Sequence, residues 1–277
     1  MGLRINTNIA SLNAQRTLSG TTYEMNKSYE RMASGSRINR SGDDAAGLAI
    51  SENLRAQIRG LRQAKRNALD GVSLVQVTEG GLNEVSNILI RLRELAVQGA
   101  SDTIGNVERG FIDREFQSLK AEVQRIAETT QFNGTELLSG AENSLDIQVG
   151  VHNTQNDRLT YDTKFANATL VSLGILEDKV LDKLSAQNSL GKVDDSIRRV
   201  QEIRSSLGAT QNRLQSTINN LSIYDENLSA ANSRVRDTDM AAESAEFTKG
   251  QILQQAGVAV LAHANSSQSL ALKLLGN

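Results

Sequence analysis

A mainly α fold, a long antiparallel helical bundle or coiled coil with a small β-hairpin and terminal helices that pair on assembly, follows from three observations. Two long stretches carry aliphatic residues at heptad spacing, aromatics make up only 3% of the chain, and there is no proline among its 277 residues. Leu, Ile, Val and Ala are the residues of helix seams, where aliphatic knobs fill a thin layer between rods, whereas a thick globular centre draws on large aromatics. Proline costs roughly 3 kcal/mol inside a helix, so a chain that is nearly all helix has little room for one.

The elements follow in order. Ile5, Ile9 and Leu12, then Met25, Tyr29 and Met32, mark an N-terminal stripe. A polar linker, residues 33–42, separates it from the first long rod, which is expected from Ser41 or Asp43 to Gln98 with Leu54, Ile58, Leu61, Ala68, Val72, Val75, Leu82, Val85, Leu89, Leu92 and Ala96 on its seam. Lys65 and Glu79 fall on seam positions, and Gly80-Gly81 predicts a phase slip of about one residue there. At 1.5 Å per residue the rod spans on the order of 80 Å. Gly99 ends it, and a second amphipathic helix runs from Val107 to Glu128 through Phe111, Phe116, Leu119, Val123 and Ile126. Strict alternation at Leu145, Ile147, Val149 and Val151, then a polar turn and Leu159 and Tyr161, reads as a hairpin near residues 145–163. A third rod begins near Leu176 and carries Val193, Ile197, Val200, Ile203, Leu207, Leu214, Ile218, Leu221, Leu228 and Val235. A C-terminal stripe holds Leu253, Ala256, Val260, Ala264, Leu270 and Leu274. Each terminal stripe is too thin to stabilise an isolated helix, so its apolar face needs a partner. The chain is expected to run out and back, with terminal segments 1–40 and 236–277 meeting at one end and residues 41–235 forming the bundle.

Composition narrows function as well. The 30 basic and 32 acidic residues are mixed along the chain, with no basic stripe interleaved with aromatics, which argues against nucleic acid as a partner. No apolar run reaches the roughly 18 residues of a membrane span, and the first residues lack the apolar segment of a cleavable secretory signal. The two histidines, His152 and His263, lie in different predicted regions, whereas a metal site needs three or four clustered ligands. Asp43-Asp44 precede a helical pattern and read as an N-cap rather than an acid–base pair. Gly80-Gly81 has no strand before it, as a phosphate loop requires. A non-enzymatic structural protein without catalytic residues, metal or cofactor is the expectation.

Six strings, in order, resemble bacterial flagellin: INTNIASLNAQRTL, SGSRINRSGDDAAGLAISENLRAQIRGLRQAKRNALDGVSLVQVTEG, RLRELAVQ, TQFNGTELL, SLGATQNRLQSTINNLS and QILQQAGVAVLAHAN. The resemblance covers nearly the whole chain and is that of a minimal form without large variable outer domains. It implies an extracellular filament of the bacterial flagellum that serves swimming motility, with terminal helices lining a central tube and the bundle forming the outer wall. It also implies export through the flagellar secretion channel without a cleavable signal. The implied partners are further copies of the chain, an export chaperone, the filament cap, hook-junction proteins and an innate immune receptor of the Toll-like family. Matching positions for a subunit-contact and receptor patch are Arg91, Leu95, Glu122, Val193, Ile197 and Arg213, with Arg91 expected beside Leu95 on an exposed side of the first rod. The assembly helices carry Ile5, Ile9, Leu12, Leu253, Ala256, Val260, Leu270 and Leu274. A hook–filament junction protein of the same superfamily and a signalling coiled coil are the alternatives.

Overall fold

A computed structural model describes residues 7–141 and 144–275, with side chains through Ser267. The described residues fall into two compact units, one of residues 57–226 and one made of the segments before and after it.

Helix α1 spans Ile9–Ser34, α2 Ala45–Gly99, α3 Asn106–Thr129, α4 Leu170–Leu173, α5 Lys183–Arg236 and α6 Met240–Leu275. Four short strands, β1 Gln131–Phe132, β2 Thr135–Glu136, β3 Ser144–Gln148 and β4 Arg158–Asp162, form two antiparallel two-stranded ladders, β1 with β2 and β3 with β4.

Within residues 57–226, α2 and α5 run antiparallel, as their cross-helix ion pairs show. Arg93 bonds Asp194 at 2.6 Å, Glu79 meets Arg204 at 3.9 Å and Arg62 bonds Asp225 at 3.0 Å. The seam along α2 runs through the buried positions Leu61, Ala64, Ala68, Gly71, Val75, Thr78, Leu82, Val85, Leu89, Leu92 and Ala96, with Ile58, Leu74, Leu95 and Gly99 buried beside it. Steps of three and four alternate without a break, so the expected phase slip at Gly80-Gly81 does not occur. Lys65 and Glu79 flank the seam, and the small or polar residues Ala64, Gly71 and Thr78 occupy it. Buried Thr78 satisfies its hydroxyl by donating to the Leu74 carbonyl at 2.8 Å.

The glycine on the seam has a reason in the hairpin. A Cβ on Gly71 would come within 2.7 Å of Ile147 Cδ1. Helix α2 therefore accepts β3 at van der Waals distance only because that position lacks a side chain. The hairpin ladder pairs Leu145 with Tyr161 and Ile147 with Leu159. It ends at Gln148 rather than Val151, because the Asp157 carbonyl accepts from both Val149 and Gly150 and no regular pair follows.

Helix α3 closes the core with Ile112, Phe116, Val123 and Ala127. Phe116 is fully buried, whereas Phe111 is 60% exposed and lies off the seam, against expectation. Lys120 also occupies the seam, almost fully buried, with Nζ donating to Gln117 Oε1 and to the carbonyls of Leu176 and Asp178 at 2.7–3.1 Å. Burial pushes its pKa below the usual lysine value. These bonds fix the strap between α4 and α5, which explains why the third rod begins at Lys183 and not near Leu176: Ile175 and Val180 are buried in a non-helical strap that turns at Leu176-Glu177.

In the other unit, α1 packs along α6. Asn8 caps α1 by accepting from Ser11 N at 3.0 Å, and its Nδ2 donates to the Ala264 carbonyl at 2.8 Å. Ser11 Oγ bonds Asn265 Oδ1 at 2.9 Å, Met25 lies over Gly250, and Leu18 over Gly257. The two terminal linkers meet through an antiparallel bridge of Ser36 with Asp237, as Arg37 N donates to the Arg236 carbonyl at 2.6 Å and Thr238 N to that of Gly35 at 3.0 Å.

Asp44 Oδ1 accepts from Gly47 N at 2.8 Å, the N-cap geometry expected at the start of α2. Asp43 has a different task, accepting from the Asn39 and Arg40 amides and from Lys27 at 3.0 Å. Its hydrogen bond to Lys27, followed by those from the Arg40 and Asn39 amides, holds its pKa down at about 2, against 3.8 ordinarily. A depressed carboxylate stabilises the fold at pH above its unfolded value, and that contribution is lost as pH falls through about 2. An NMR titration of Asp43 should therefore give a midpoint near 2; a midpoint at or above 3.8 would show that the linker is not held this way in solution.

Candidate subunit-contact site

In the long bundle the six candidate positions separate into two groups. Leu95 is 1% exposed and Val193 is fully buried, so neither forms a surface, and Ile197 packs half-buried against the same core. The expected exposed placement of Leu95 is thus corrected. Helix α2 is flanked here by both α3 and α5, so its apolar stripe widens to include Leu92, Leu95 and Ala96.

Arg91 is exposed. Its Nε and Nη2 donate to Glu115 Oε1 on α3 at 3.0 and 2.8 Å, and its Nη1 to Glu94 at 2.8 Å. These carboxylates raise its pKa, first through the hydrogen bond to Glu94 and then through the bond and charge of Glu115. The apolar residues beside it on the outer face are Ile90 and Val97, about half exposed. With Glu94 they recur at steps of four and three, a second stripe opposite the seam that sequence reading passed over. The signal was visible as apolar residues off the heptad phase.

Glu122 lies on α3, where Arg125 Nε donates to it at 2.8 Å. Arg213 lies elsewhere, on the rim of a groove of about 720 Å³ that includes Leu61, Val151, His152, Leu221 and Tyr224. The six positions therefore do not converge on one patch.

The terminal candidates behave differently. Ile9, Leu12, Leu253 and Val260 are each at least 50% exposed, and Ala256 is exposed too. Ile5 and the side chains of Leu270 and Leu274 lie outside the described residues. The residues of α1 buried against its surroundings are Ser11 and Ser28, while Gly250 and Gly257 receive side chains from α1. Small and polar residues thus let the two helices approach around Leu18 and Met25, whereas Ile9, Leu12, Leu253 and Val260 are turned outward. Tyr23, Ile252 and Val258, also exposed, extend this apolar surface. Scattered exposed apolar residues are ordinary; here they are concentrated on two paired helices.

Among the described residues no group of three His, Cys, Asp or Glu is placed to hold a metal ion, and no helix is long and apolar enough to cross a membrane.

Comparison with known proteins gives the family. The family model of the bacterial flagellin N-terminal helical region matches residues 5–143, and that of the C-terminal helical region matches residues 190–275. A flagellin of Halalkalibacterium halodurans is 45% identical over 271 residues, covering 98% of this chain and 99% of its own. A Bacillus subtilis flagellin is 42% identical over 305 residues, covering 99% of this chain and 100% of its own. Among solved structures, Bacillus cereus flagellin is similar at 30% identity and a TM-score of 0.50, covering 56% of this chain and 88% of that one. A flagellar hook-associated protein of Vibrio parahaemolyticus shares the fold at 16% identity and a TM-score of 0.59, covering 70% of this chain and all of its own.

Proposed function

We propose, since this chain belongs to the bacterial flagellin family and is a structural, non-enzymatic subunit of the flagellar filament, that it assembles through the outward apolar faces of α1 and α6. The observation that carries this reading is that α1 and α6 meet through Ser11, Leu18, Met25, Gly250 and Gly257 and present Ile9, Leu12, Leu253 and Val260 to solvent. Covering such side chains with a neighbouring copy contributes about 25 cal/mol for each Å² removed from water. On this reading residues 1–40 and 236–277 form the inner tube and residues 41–235 the wall. Negative-stain microscopy of seeded protein tests it: long helical filaments are the expected product, and short caps or dispersed monomers would count against it. The hook–filament junction alternative rests on a likeness of fold alone, while flagellins match at over 40% identity along the full chain.

The export chaperone, cap and hook-junction proteins belong to the same reading, and the exposed terminal apolar faces support it as surfaces such partners can cover. So does export of the unfolded chain through the flagellar secretion channel, supported by family membership alone. A Toll-like receptor would meet Arg91 and Glu122 on the outer faces of α2 and α3; buried Leu95 and Val193 would serve only to hold those faces in place.

Arg91, with Ile90 and Val97, is proposed as a lateral or axial contact in the wall. Its ion pairs are exposed, so Arg91→Ala should leave monomer melting nearly unchanged. An arginine at the centre of an interface is commonly worth about 2 kcal/mol or more, which corresponds to a roughly 30-fold rise in critical concentration. Sedimentation of filaments across a concentration series measures this. A lowered melting temperature with unaltered growth would place Arg91 in the monomer's own stability and remove it from the interface.

A further inference from the structure

We propose that Asn133 is a site of spontaneous deamidation, gated by opening of the β1–β2 turn. Asn133-Gly134 is the one Asn-Gly pair in the sequence, and every other asparagine with a successor is followed by a residue that has a side chain. In the reaction the Gly134 backbone nitrogen attacks Asn133 Cγ. A C–N bond forms, closing a five-membered succinimide, and the side-chain amide leaves as ammonia, with the Gly134 proton passing to the leaving group through solvent. Water then opens the ring at one of its two carbonyls, giving aspartate or isoaspartate, so that asparagine and water become the acid and ammonia. A side chain after the asparagine shields this nitrogen. At Gly134 nothing lies within 4 Å of where a Cβ would stand, and both residues are exposed.

The backbone decides when the attack can occur. Asn133 has φ 48° and Gly134 φ 79°, the left-handed pair of a tight hairpin turn. Ring closure needs the asparagine backbone to rotate until Cγ meets the Gly134 nitrogen, a rotation that a closed two-residue turn of this kind resists. The ladder that holds it shut has two residue pairs, Gln131 with Glu136 and Phe132 with Thr135, with one further bond from Leu137 N to the Thr130 carbonyl at its base. A ladder so short opens locally at little cost.

The consequence reaches the core. Aspartate tolerates a positive φ and can keep the turn. Isoaspartate puts an extra methylene into the main chain and cannot. Next in sequence are Leu137 and Leu138, both fully buried, with Leu137 N donating to the Thr130 carbonyl at 3.0 Å and the Leu138 carbonyl accepting from Ala168 N at 3.0 Å. A lengthened turn would disturb the plug these leucines form over α2.

The test ages the full chain in mildly alkaline buffer, folded and in urea, followed by peptide mass spectrometry and isoaspartate-specific methylation. The expected result is that Asn133 loses its amide ahead of every other asparagine in both conditions, and several-fold faster in urea. Gly134→Ala, assayed in urea so that its effect on folding does not matter, should slow the loss several-fold. Persistence of the Asn133 amide while another asparagine converts would overturn the site. Equal rates in folded and unfolded protein would overturn the gating.

Discussion

Removal of residues 254–277 is expected to abolish filament growth while leaving the bundle of residues 57–226 folded. The deletion takes Ala256, Val260 and the partners of Asn8, Ser11 and Leu18, namely Ala264, Asn265 and Gly257, and so strips the N-terminal half of α1 of these contacts. None of the side chains that build the long-bundle core, from Ala68 to Ile218, belongs to the deleted stretch. Seeded growth followed by turbidity and microscopy should therefore show no polymer at concentrations where the full chain polymerises completely. Amide exchange should still show protected amides at Leu89, Phe116 and Val200. Normal polymerisation would remove the terminal helices from assembly, and loss of protection in the bundle would show that the two units depend on each other for folding.

The largest effect on folding is expected at Phe116. It is the largest of the fully buried side chains, and Lys120 Nζ sits 5.9 Å from its ring centre, so its removal leaves a cavity beneath a buried ammonium. Phe116→Ala should lose about 3–5 kcal/mol in urea unfolding, the cost of transfer plus an unfilled cavity. Phe111→Ala, on the exposed side of the same helix, should stay within about 0.5 kcal/mol of the parent. Equal effects at the two positions would mean that α3 is not seated on its Ile112–Phe116–Val123 face.

Much of this architecture was legible because a heptad is a strong signal. Leu61, Leu82, Leu89 and Leu92 on α2, and Val193, Val200 and Leu214 on α5, are the residues whose spacing predicts the rods, and they are the residues the fold buries. What spacing alone does not reveal is where a seam continues through residues that are not hydrophobic. Ala64, Gly71 and Thr78 keep the three–four rhythm where Lys65 and Glu79 suggest a slip, since a small side chain or a hydroxyl bonded to its own helix fills the seam as well as an aliphatic one. Lys120 is a harder case: a charge in the core of α3 is explained only by the carbonyls of Leu176 and Asp178, which come from a distant strap. The β1–β2 ladder is too short to show alternation. For the contact site, the terminal residues Ile9, Leu12, Leu253 and Val260 were readable as thin stripes, yet a stripe does not say whether it faces the paired helix or the outside. Leu95 is misplaced on an exposed side because a resemblance carries over positions without carrying their burial.

The central claim is that α1 and α6 are incomplete by themselves and are finished by neighbouring copies. Amide hydrogen exchange, resolved along α1 and α6 and compared between verified monomer and assembled filament, tests it most directly. The account predicts rapid exchange through both helices in the monomer, where outward aliphatic faces leave them marginal, and strong protection in the filament. Protection of both helices already complete in the monomer, with no gain on assembly, would contradict it.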